Sequence, residues 1–380
     1  MIEAIEKTQE LKLDKSSWKL TKLGDLAEDI SKRVDNPSAS AYDRFVGLEH
    51  FVSGDIKIKN WGTTENLASS AKAFQAGDIL FARRNAYLRR ASIVDFDGCC
   101  SGDAFVIREN HNKVVPGFLA FLMNSDTLWD YANSNAAGTM SKRVKWRDLA
   151  EYEFLLPPKE EQVKLAELLW AIDEVIESEK GVLERLKTKD LSQLKHYFFD
   201  DKESNRIKLK NIVSIKKGKK PSILIEQGEG MPYCTASYLR TGEIDQVVPL
   251  EAFKSAVKIS NEDILVLWDG SNAGEMLFGK DGFLASTMCK LEIKNDSFLR
   301  DFVFQFLRFK SNDIKRATVG SAIPHVDPGM IENIEIPKLE LKIQKEVISI
   351  FESIKGNDDL VKNKISSSQS LQKSLINQVF

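Results

Sequence analysis

Two stretches of the chain repeat apolar residues at alternating spacings of three and four, which is the pattern of an amphipathic helix. The first follows a Pro-Pro pair and predicts a helix over 160–199, about 60 Å long at 1.5 Å per residue. The second predicts a helix over 343–379. A glycine, an asparagine and two aspartates at 356–359 interrupt it, so we expect a bend or loose turn near residue 356.

Each predicted helix has one apolar stripe, and a stripe of that kind does not remain exposed to water. The simplest partner for one stripe is the other, so we expect the two helices to pair as an antiparallel coiled coil. Pairing would separate the two globular parts and relate them by a pseudo-twofold axis. The alternative is that each helix packs only on its own globular part.

The globular segments, 18–156 and 206–337, mix strand-like and helix-like patterns, so the predicted fold class is α/β (α+β). Strands are predicted for the apolar, β-rich runs FQAGDILFARR, ASIVDF, EDILVLW and MCKLEIK. Amphipathic helices are predicted for PGFLAFLMNSDTLWDYANS and SFLRDFVFQFLRFKSNDI. Neither segment shows a dinucleotide-binding or phosphate-loop pattern.

The second half of the chain repeats the first. Residues 138–162 align with 320–344 without a gap, at an offset of 182 residues. LTKLGDLAEDI also resembles IKLKNIVSI, and FQAGDILF resembles VKISNEDILV, in the same order. A duplicated unit follows. The predicted domains are a first globular domain at 1–158, a long helix at 159–200, a second globular domain at 201–338 and a second long helix at 339–380.

Composition is that of a globular protein. The hydrophobic fraction of 42% is enough for apolar cores, and no run of about 18 apolar residues occurs. Residues 1–15 are charged and lack the apolar stretch of a signal peptide, so we expect a cytoplasmic protein with no membrane partner. The spacing of Cys99, Cys100, Cys234 and Cys289 suits neither a disulfide framework nor a zinc pair, so we expect reduced thiols and no metal.

The sequence lacks the motifs of several enzyme classes. It has no G-x-x-x-x-G-K-[ST] loop for nucleotide phosphates and no G-x-S-x-G turn. It also has no Asn-Pro-Pro or Asp-Pro-Pro followed by an aromatic residue, the motif that amino-methyltransferases use around the target nitrogen. We therefore expect a non-catalytic protein.

The net charge of −2 argues mildly against nucleic-acid binding, but the cations are clustered at 83–90, 141–147 and 216–220. Arginine offers planar bidentate donors to guanine edges and phosphates, and lysine is a phosphate-seeking point charge. The alternative for any one cluster is a solvated protein face. The candidate DNA-binding residues in these clusters are Arg83, Arg84, Asn85, Tyr87, Arg89, Arg90, Lys142, Arg143, Lys145, Lys216, Lys217, Lys219 and Lys220.

In the second half, residues 268–274 occupy the position equivalent to 83–90 but carry different chemistry. Asparagine can pair with adenine, and aspartate can accept a hydrogen bond from cytosine. Two domains that read different base sequences need the same scaffold with different side chains on the loops that contact the bases. The alternative is ordinary turn chemistry, since Asp, Gly, Ser and Asn all favour turns. The candidate DNA-binding residues here are Trp268, Asp269, Ser271 and Asn272.

Together these features resemble the DNA-specificity subunits of Type I restriction–modification systems, over essentially the whole chain. The main motif is LPPKEEQ at 156–162, which opens a long helix. A degenerate copy, IPKL at 336–339 with Gln344, lacks the double proline and the Glu-Glu pair. Similar family-like segments are 77–80, 268–274 and 320–326, and the last adds His325 to the candidate DNA-binding residues.

The resemblance implies a division of labour. Each globular part would be a target recognition domain reading one half of an asymmetric, bipartite site in double-stranded DNA, and the helix pair would fix the unread gap. Two methyltransferase (modification) subunits using S-adenosylmethionine and restriction/motor subunits using ATP and Mg²⁺ would bind. This chain would hold no cofactor and would only recognise the DNA sequence. The alternatives are a specificity subunit of a related Type II system and a duplicated assembly scaffold that does not read bases.

Overall fold

The structure is a computed structural model in which the chain forms two compact units. The first unit combines Met1–Val182 with Val361–Phe380, and the second is Leu183–Leu360. Each unit therefore contains one globular part and a section of both long helices. The structure describes residues 13–139, 141–200, 205–320 and 324–380. The N-terminal residues, the start of the second predicted domain and the middle of the 320–326 segment lie outside the described residues.

The first unit contains strands β1–β11 and helices α1–α3, and α4 begins in it. The strands are Lys19–Lys22, Ala27–Asp29, Arg33–Val34, Arg44–Val46, Gly62–Thr63, Ala71–Phe74, Ile79–Ala82, Ala91–Ile93, Gly98–Cys100, Ala104–Glu109 and Glu153–Leu156. The helices are Phe118–Leu122, Asp126–Ser134, Trp146–Leu149 and Lys159–Lys195. The strand orders are β2-β10-β7-β8 in one sheet and β3-β6-β9-β4-β5 in another, and β1 pairs with β11.

The second unit contains strands β12–β21 and helices α5–α8, and α9 begins in it. The strands are Arg206–Lys208, Val213–Lys217, Met231–Cys234, Val247–Val248, Lys258–Ile259, Ile264–Leu267, Met276–Phe278, Gly282–Leu284, Met288–Ile293 and Glu335–Pro337. The helices are Ala236–Thr241, Arg300–Phe309, Ser311–Arg316, Pro328–Glu332 and Leu341–Val379. The strand orders are β13-β20-β17-β18 and β15-β14-β19-β16, and β12 pairs with β21.

The two units share one topology. The sheet β2-β10-β7-β8 matches β13-β20-β17-β18 strand for strand, and β6-β9-β4-β5 matches β16-β19-β14-β15. Each of the second sheets contains one parallel pair, β4 with β9 and β14 with β19. Strand β3 has no counterpart in the described part of the second unit. The internal repeat and the mixed α/β class predicted from the sequence are confirmed.

The central strands β7 and β17 are buried along their whole length, as their continuous apolar runs require. In the first unit, Phe81 of β7 stacks on Trp129 of α2 with ring centroids 4.5 Å apart. In the second unit, Phe306 of α6 packs edge-on against Phe198 with centroids 5.1 Å apart. Burial of such side chains stabilises each unit by roughly 25 cal/mol per Å² of apolar surface.

The first long helix is confirmed, and α4 leads directly into a π-helical turn at His196–Asp200. The predicted loose turn near residue 356 is wrong, because α9 is helical without interruption. Gly356 lies on an exposed side, where a helical glycine costs only about 1 kcal/mol relative to alanine. Phe351 and Ile354 of the same segment pack against the core of the second unit. Tertiary packing therefore outweighs the weak local signal.

A buried glutamine ties the start of each long helix to its globular part. The Gln162 side chain accepts a hydrogen bond from Val115 N at 3.0 Å and donates one to Pro157 O at 2.9 Å. Gln344 does the same in the second unit, accepting from Leu299 N at 2.8 Å and donating to two backbone carbonyls at 2.7 and 2.8 Å. The final residue of the LPPKEEQ motif is therefore the anchor of the helix.

The apolar stripes of the two helices meet within each unit. In the first unit, the early part of α4, including Leu169, shares a hydrophobic core with the end of α9, including Val379. In the second unit, the end of α4, including Leu194, shares a core with the start of α9, including Val347. These contacts run in opposite order along the two helices, which confirms their antiparallel contact. Both stripes also pack on the globular cores.

Candidate nucleic-acid interface

The loop after β7 and the segment before α3 form one structure, the first tip, made of residues 83–90 and 141–145. The N–H of Val144 donates to Arg83 O at 2.9 Å, and the N–H of Asn85 makes a second backbone bond of 3.0 Å beside it. Two of the predicted basic clusters are thus held side by side, although they are far apart in sequence.

The second tip, made of residues 268–274 and 324–326, is joined by an equivalent pair of backbone hydrogen bonds. The N–H of Val326 donates to Trp268 O at 2.9 Å, and the N–H of Gly270 makes a second backbone bond of 2.9 Å. The loop after β17 therefore stands in the second unit where the loop after β7 stands in the first.

Two arginines of the first tip bond to the protein itself. The Arg89 guanidinium bonds to the carboxylate of Asp126 and donates to that of Asp130 at 3.0 Å. Arg90 donates to Leu48 O at 2.9 Å, and burial lowers its pKa. These side chains brace the loop against neighbouring elements.

Two further arginines are also bound internally. The Nε and Nη2 atoms of Arg143 donate to Asp103 at 2.8 and 3.1 Å, and these hydrogen bonds hold the pKa of Asp103 below its usual value. The guanidinium carbon of Arg83 lies 5.3 Å from the ring centroid of Phe105. The predicted arginine cluster is thus largely a set of internal contacts.

The outward-facing chemistry of the first tip comes from fewer residues. Arg84 is exposed, donates to Ser141 Oγ at 2.7 Å and lies 3.7 Å from the Asp103 carboxylate. The outer surface also carries Tyr87, Lys142 and Lys145. Within the described part of the chain, neither lysine has a carboxylate within ion-pair distance, so both ammonium groups are available to an anion.

The backbone of the first tip is constrained around the turn Ala86–Leu88. Asn85, with φ 55°, and Arg89, with φ 48°, bound this turn, and they are the non-glycine residues with positive φ among those described. Asparagine tolerates this region, whereas arginine seldom adopts it. Leu88 is exposed beside Tyr87. Sequence reasoning missed Leu88 because single exposed leucines are common.

The predicted residues of the second tip divide between core and surface. Trp268 is buried in the hydrophobic core of its unit, so its ring has almost no surface left for a base. The Asp269 carboxylate lies 3.0 Å from the Lys217 ammonium. The remaining predicted residues, Ser271, Asn272 and His325, are exposed.

The third basic cluster adjoins the second tip through that Lys217 ion pair. Gly218 directly follows β13, and a Cβ there would lie 2.1 Å from Ala285 O, so only glycine fits. The cluster's other lysines, Lys216, Lys219 and Lys220, are exposed, and no carboxylate of the described chain lies within ion-pair distance of them.

The cysteines are not placed for chemistry. All four are buried and free, and burial raises the pKa of Cys100, Cys234 and Cys289 to about 12. A thiol of that pKa is a poor nucleophile and ligand at neutral pH. Across residues 13–380, apart from the undescribed gaps, no cluster of three His, Cys, Asp or Glu side chains is arranged to hold a metal. No helix in the same residues has the length and apolarity to cross a membrane.

Comparison with known proteins identifies the family. A family model described as the Type I restriction modification DNA specificity domain matches twice, at residues 15–188 and 201–367. These two matches coincide with the two halves of the internal repeat and include both tips.

Sequence relatives carry the same description. The chain is 35% identical over 176 residues to the Type I restriction enzyme MjaVIII specificity subunit of Methanocaldococcus jannaschii. It is 27% identical over 169 residues to the Type I restriction enzyme EcoDI specificity subunit of Escherichia coli. These alignments cover 46% and 43% of the chain and 41% and 36% of the two relatives, so the chain matches less than half the length of each.

Solved structures have the same fold. One, on complex assembly and conformational transition of the type I R-M system, contains a chain with a TM-score of 0.63 and 19% identity, covering 96% of this chain and 97% of that one. The Type-I restriction-modification system S subunit from M. genitalium gives a TM-score of 0.56 and 17% identity, covering 98% of both chains. Because the two matches to the family model together cover most of this chain, the chain belongs to the Type I restriction–modification DNA specificity family.

Proposed function

We propose that the chain is a DNA-specificity subunit in which each unit reads one half of an asymmetric, bipartite site in double-stranded DNA. The observation that carries this is the pair of tips, which have the same pattern of backbone hydrogen bonds but present different side chains. The first tip offers Arg84, Tyr87 and two lysines, whereas the second offers Ser271, Asn272 and His325. Arginine suits guanine and asparagine suits adenine, so the two tips would read different bases.

We propose that α4 and α9 fix the number of unread base pairs between the half-sites. Both helices contribute residues to both units. With 37 residues, α4 extends about 55 Å, which exceeds one turn of B-DNA at about 34 Å. The buried glutamines at the helix starts would hold each reading domain at a set angle to its helix.

In this proposal the chain is not an enzyme and holds no cofactor. Two methyltransferase subunits would use S-adenosylmethionine to methylate adenine, and restriction subunits would use ATP and Mg²⁺. Support for these partners is the family membership alone. A role in a related Type II system remains the alternative for the assembly, with the same reading function for this chain.

A domain exchange tests the reading function. Residues 1–158 are replaced by those of another family member, the chimera is produced with its methyltransferase, and methylated adenines are mapped by long-read sequencing. We expect one half of the methylated motif to change while the other half stays. A change in both halves would contradict the assignment of one half-site to each unit. An unchanged motif would favour a scaffold that does not read bases.

A further inference from the structure

The first tip exposes two large apolar side chains where its backbone is most constrained. Tyr87 is 68% exposed and Leu88 is 39% exposed, and both belong to the turn between the positive-φ residues Asn85 and Arg89. Single exposed apolar side chains are common on protein surfaces, so exposure alone does not mark this turn, but two adjacent ones on constrained backbone do. Strained backbone persists only where its surroundings fix it, and it clusters at binding and catalytic sites.

The surroundings of this turn do fix it. The Arg89 guanidinium bonds to Asp126, and Ser53 Oγ donates to Arg89 O at 3.2 Å. Asp126 is itself held by α9, because Asn377 Nδ2 donates to its carboxylate at 2.7 Å and the Lys373 ammonium lies 3.3 Å away. The two apolar side chains are therefore presented on a braced support, which lowers the ordering cost when they are buried against a ligand.

The charge around the turn selects the ligand. Lys142 and Lys145 are exposed on the same tip, and no described carboxylate lies within ion-pair distance of either. The nearby carboxylates, Asp103, Asp126 and Asp130, are each bonded to an arginine. An exposed apolar pair on a tip that also carries two unpaired lysines complements a polyanion with apolar surface between its charges, which describes DNA bases between phosphates.

We infer that Tyr87 and Leu88 form an apolar finger that contacts the carbon surface of the bases in the first half-site. This inference rests on the proposed reading function. Two sources of such surface exist in DNA: the thymine methyl group and the face of a partly unstacked base. At the equivalent position of the second tip, Asn272 replaces Tyr87, so the finger belongs to the first unit alone.

The test begins with selection from a pool of random 40-base-pair duplexes by the purified full chain at low salt. A Tyr87→Ala/Leu88→Ala double variant is compared with Leu20→Ala, a control that alters another exposed leucine of the same unit. We expect wild type and control to enrich the same bipartite motif. The double variant should lose discrimination in one half only and bind the wild-type motif about tenfold more weakly.

Salt dependence separates the finger from the cations. Loss of apolar contact should leave the slope of log affinity against log salt unchanged, whereas Lys142→Ala/Lys145→Ala should reduce that slope by about 2. Tyr87→Phe/Leu88→Met should restore affinity and discrimination. A double variant that enriches the wild-type motif with wild-type affinity overturns the inference while leaving the reading function intact. Failure of the wild type to enrich any motif overturns both.

Two modified duplexes distinguish the sources. Uracil replaces each thymine of the first half-site in one, and 2-aminopurine replaces each adenine in the other. If the wild type binds the uracil duplex more weakly than the unmodified duplex and the double variant does not, the finger contacts the thymine methyl group. A fluorescence rise with wild type that the double variant does not produce identifies an unstacked base. If neither signal differs between wild type and double variant, the finger does not contact base carbon surface.

Discussion

Arg89 and Arg90 follow Tyr87 closely in the sequence, yet their donors bond to Asp126, Asp130 and Leu48 rather than facing outward. Part of this basic cluster therefore holds the loop in place, and only the remaining cations are free to bind an anion. The sequence could not show this, because the carboxylate partners of Arg89 lie 37 and 41 residues away. Replacing these arginines would loosen the loop and confuse any test of DNA contact.

Trp268 gives a prediction at the residue scale. This residue is 6% exposed and packs in the core of the second unit, so Trp268→Ala should cost about 3–5 kcal/mol of unfolding free energy in that unit. Trp61→Ala, which removes a tryptophan that is 43% exposed, serves as the control and should cost much less. Urea unfolding measures both. Equal, small losses for the two variants would show that Trp268 is a surface residue.

The long helices were the elements best predicted from sequence, because a repeated three-four spacing needs no knowledge of distant contacts. The interruption at 356–359 misled the prediction for α9. Glycine, asparagine and aspartate lower helix propensity by about 1 kcal/mol or less each, and packing on both sides of the interruption overrides that. The strand order and the backbone hydrogen bonds that join the two segments of each tip depend on pairings distant in sequence, so periodicity did not reveal them.

The helix anchors give a prediction at the element scale. Gln344 is fully buried with three hydrogen bonds, so Gln344→Ala should leave buried backbone groups unsatisfied and cost about 2 kcal/mol. Gln193→Ala, at an exposed position of α4, should change stability by less than about 0.5 kcal/mol. Urea unfolding of the two variants measures the difference. A Gln344→Ala variant as stable as Gln193→Ala would remove the anchoring role.

At the scale of the whole molecule, duplication explains how one chain carries two unlike surfaces. The offset of 182 residues was readable from the sequence, and the structure shows the two units with one strand order. The net charge of −2 does not exclude DNA binding, because many cations are used within the fold while a few lysines at the first tip and in the cluster beside the second tip remain available. Affinity of the isolated chain for DNA should therefore be modest and fall steeply with salt.

The central claim is that each tip reads its own half of one site. Selection from random duplexes, run with Arg84→Ala/Lys142→Ala/Lys145→Ala in the first tip and Ser271→Ala/Asn272→Ala/His325→Ala in the second, measures it directly. We predict that wild type enriches two half-motifs at a fixed spacing and that each variant degrades a different one. Two variants that degrade the same half, or leave both halves unchanged, would contradict the account.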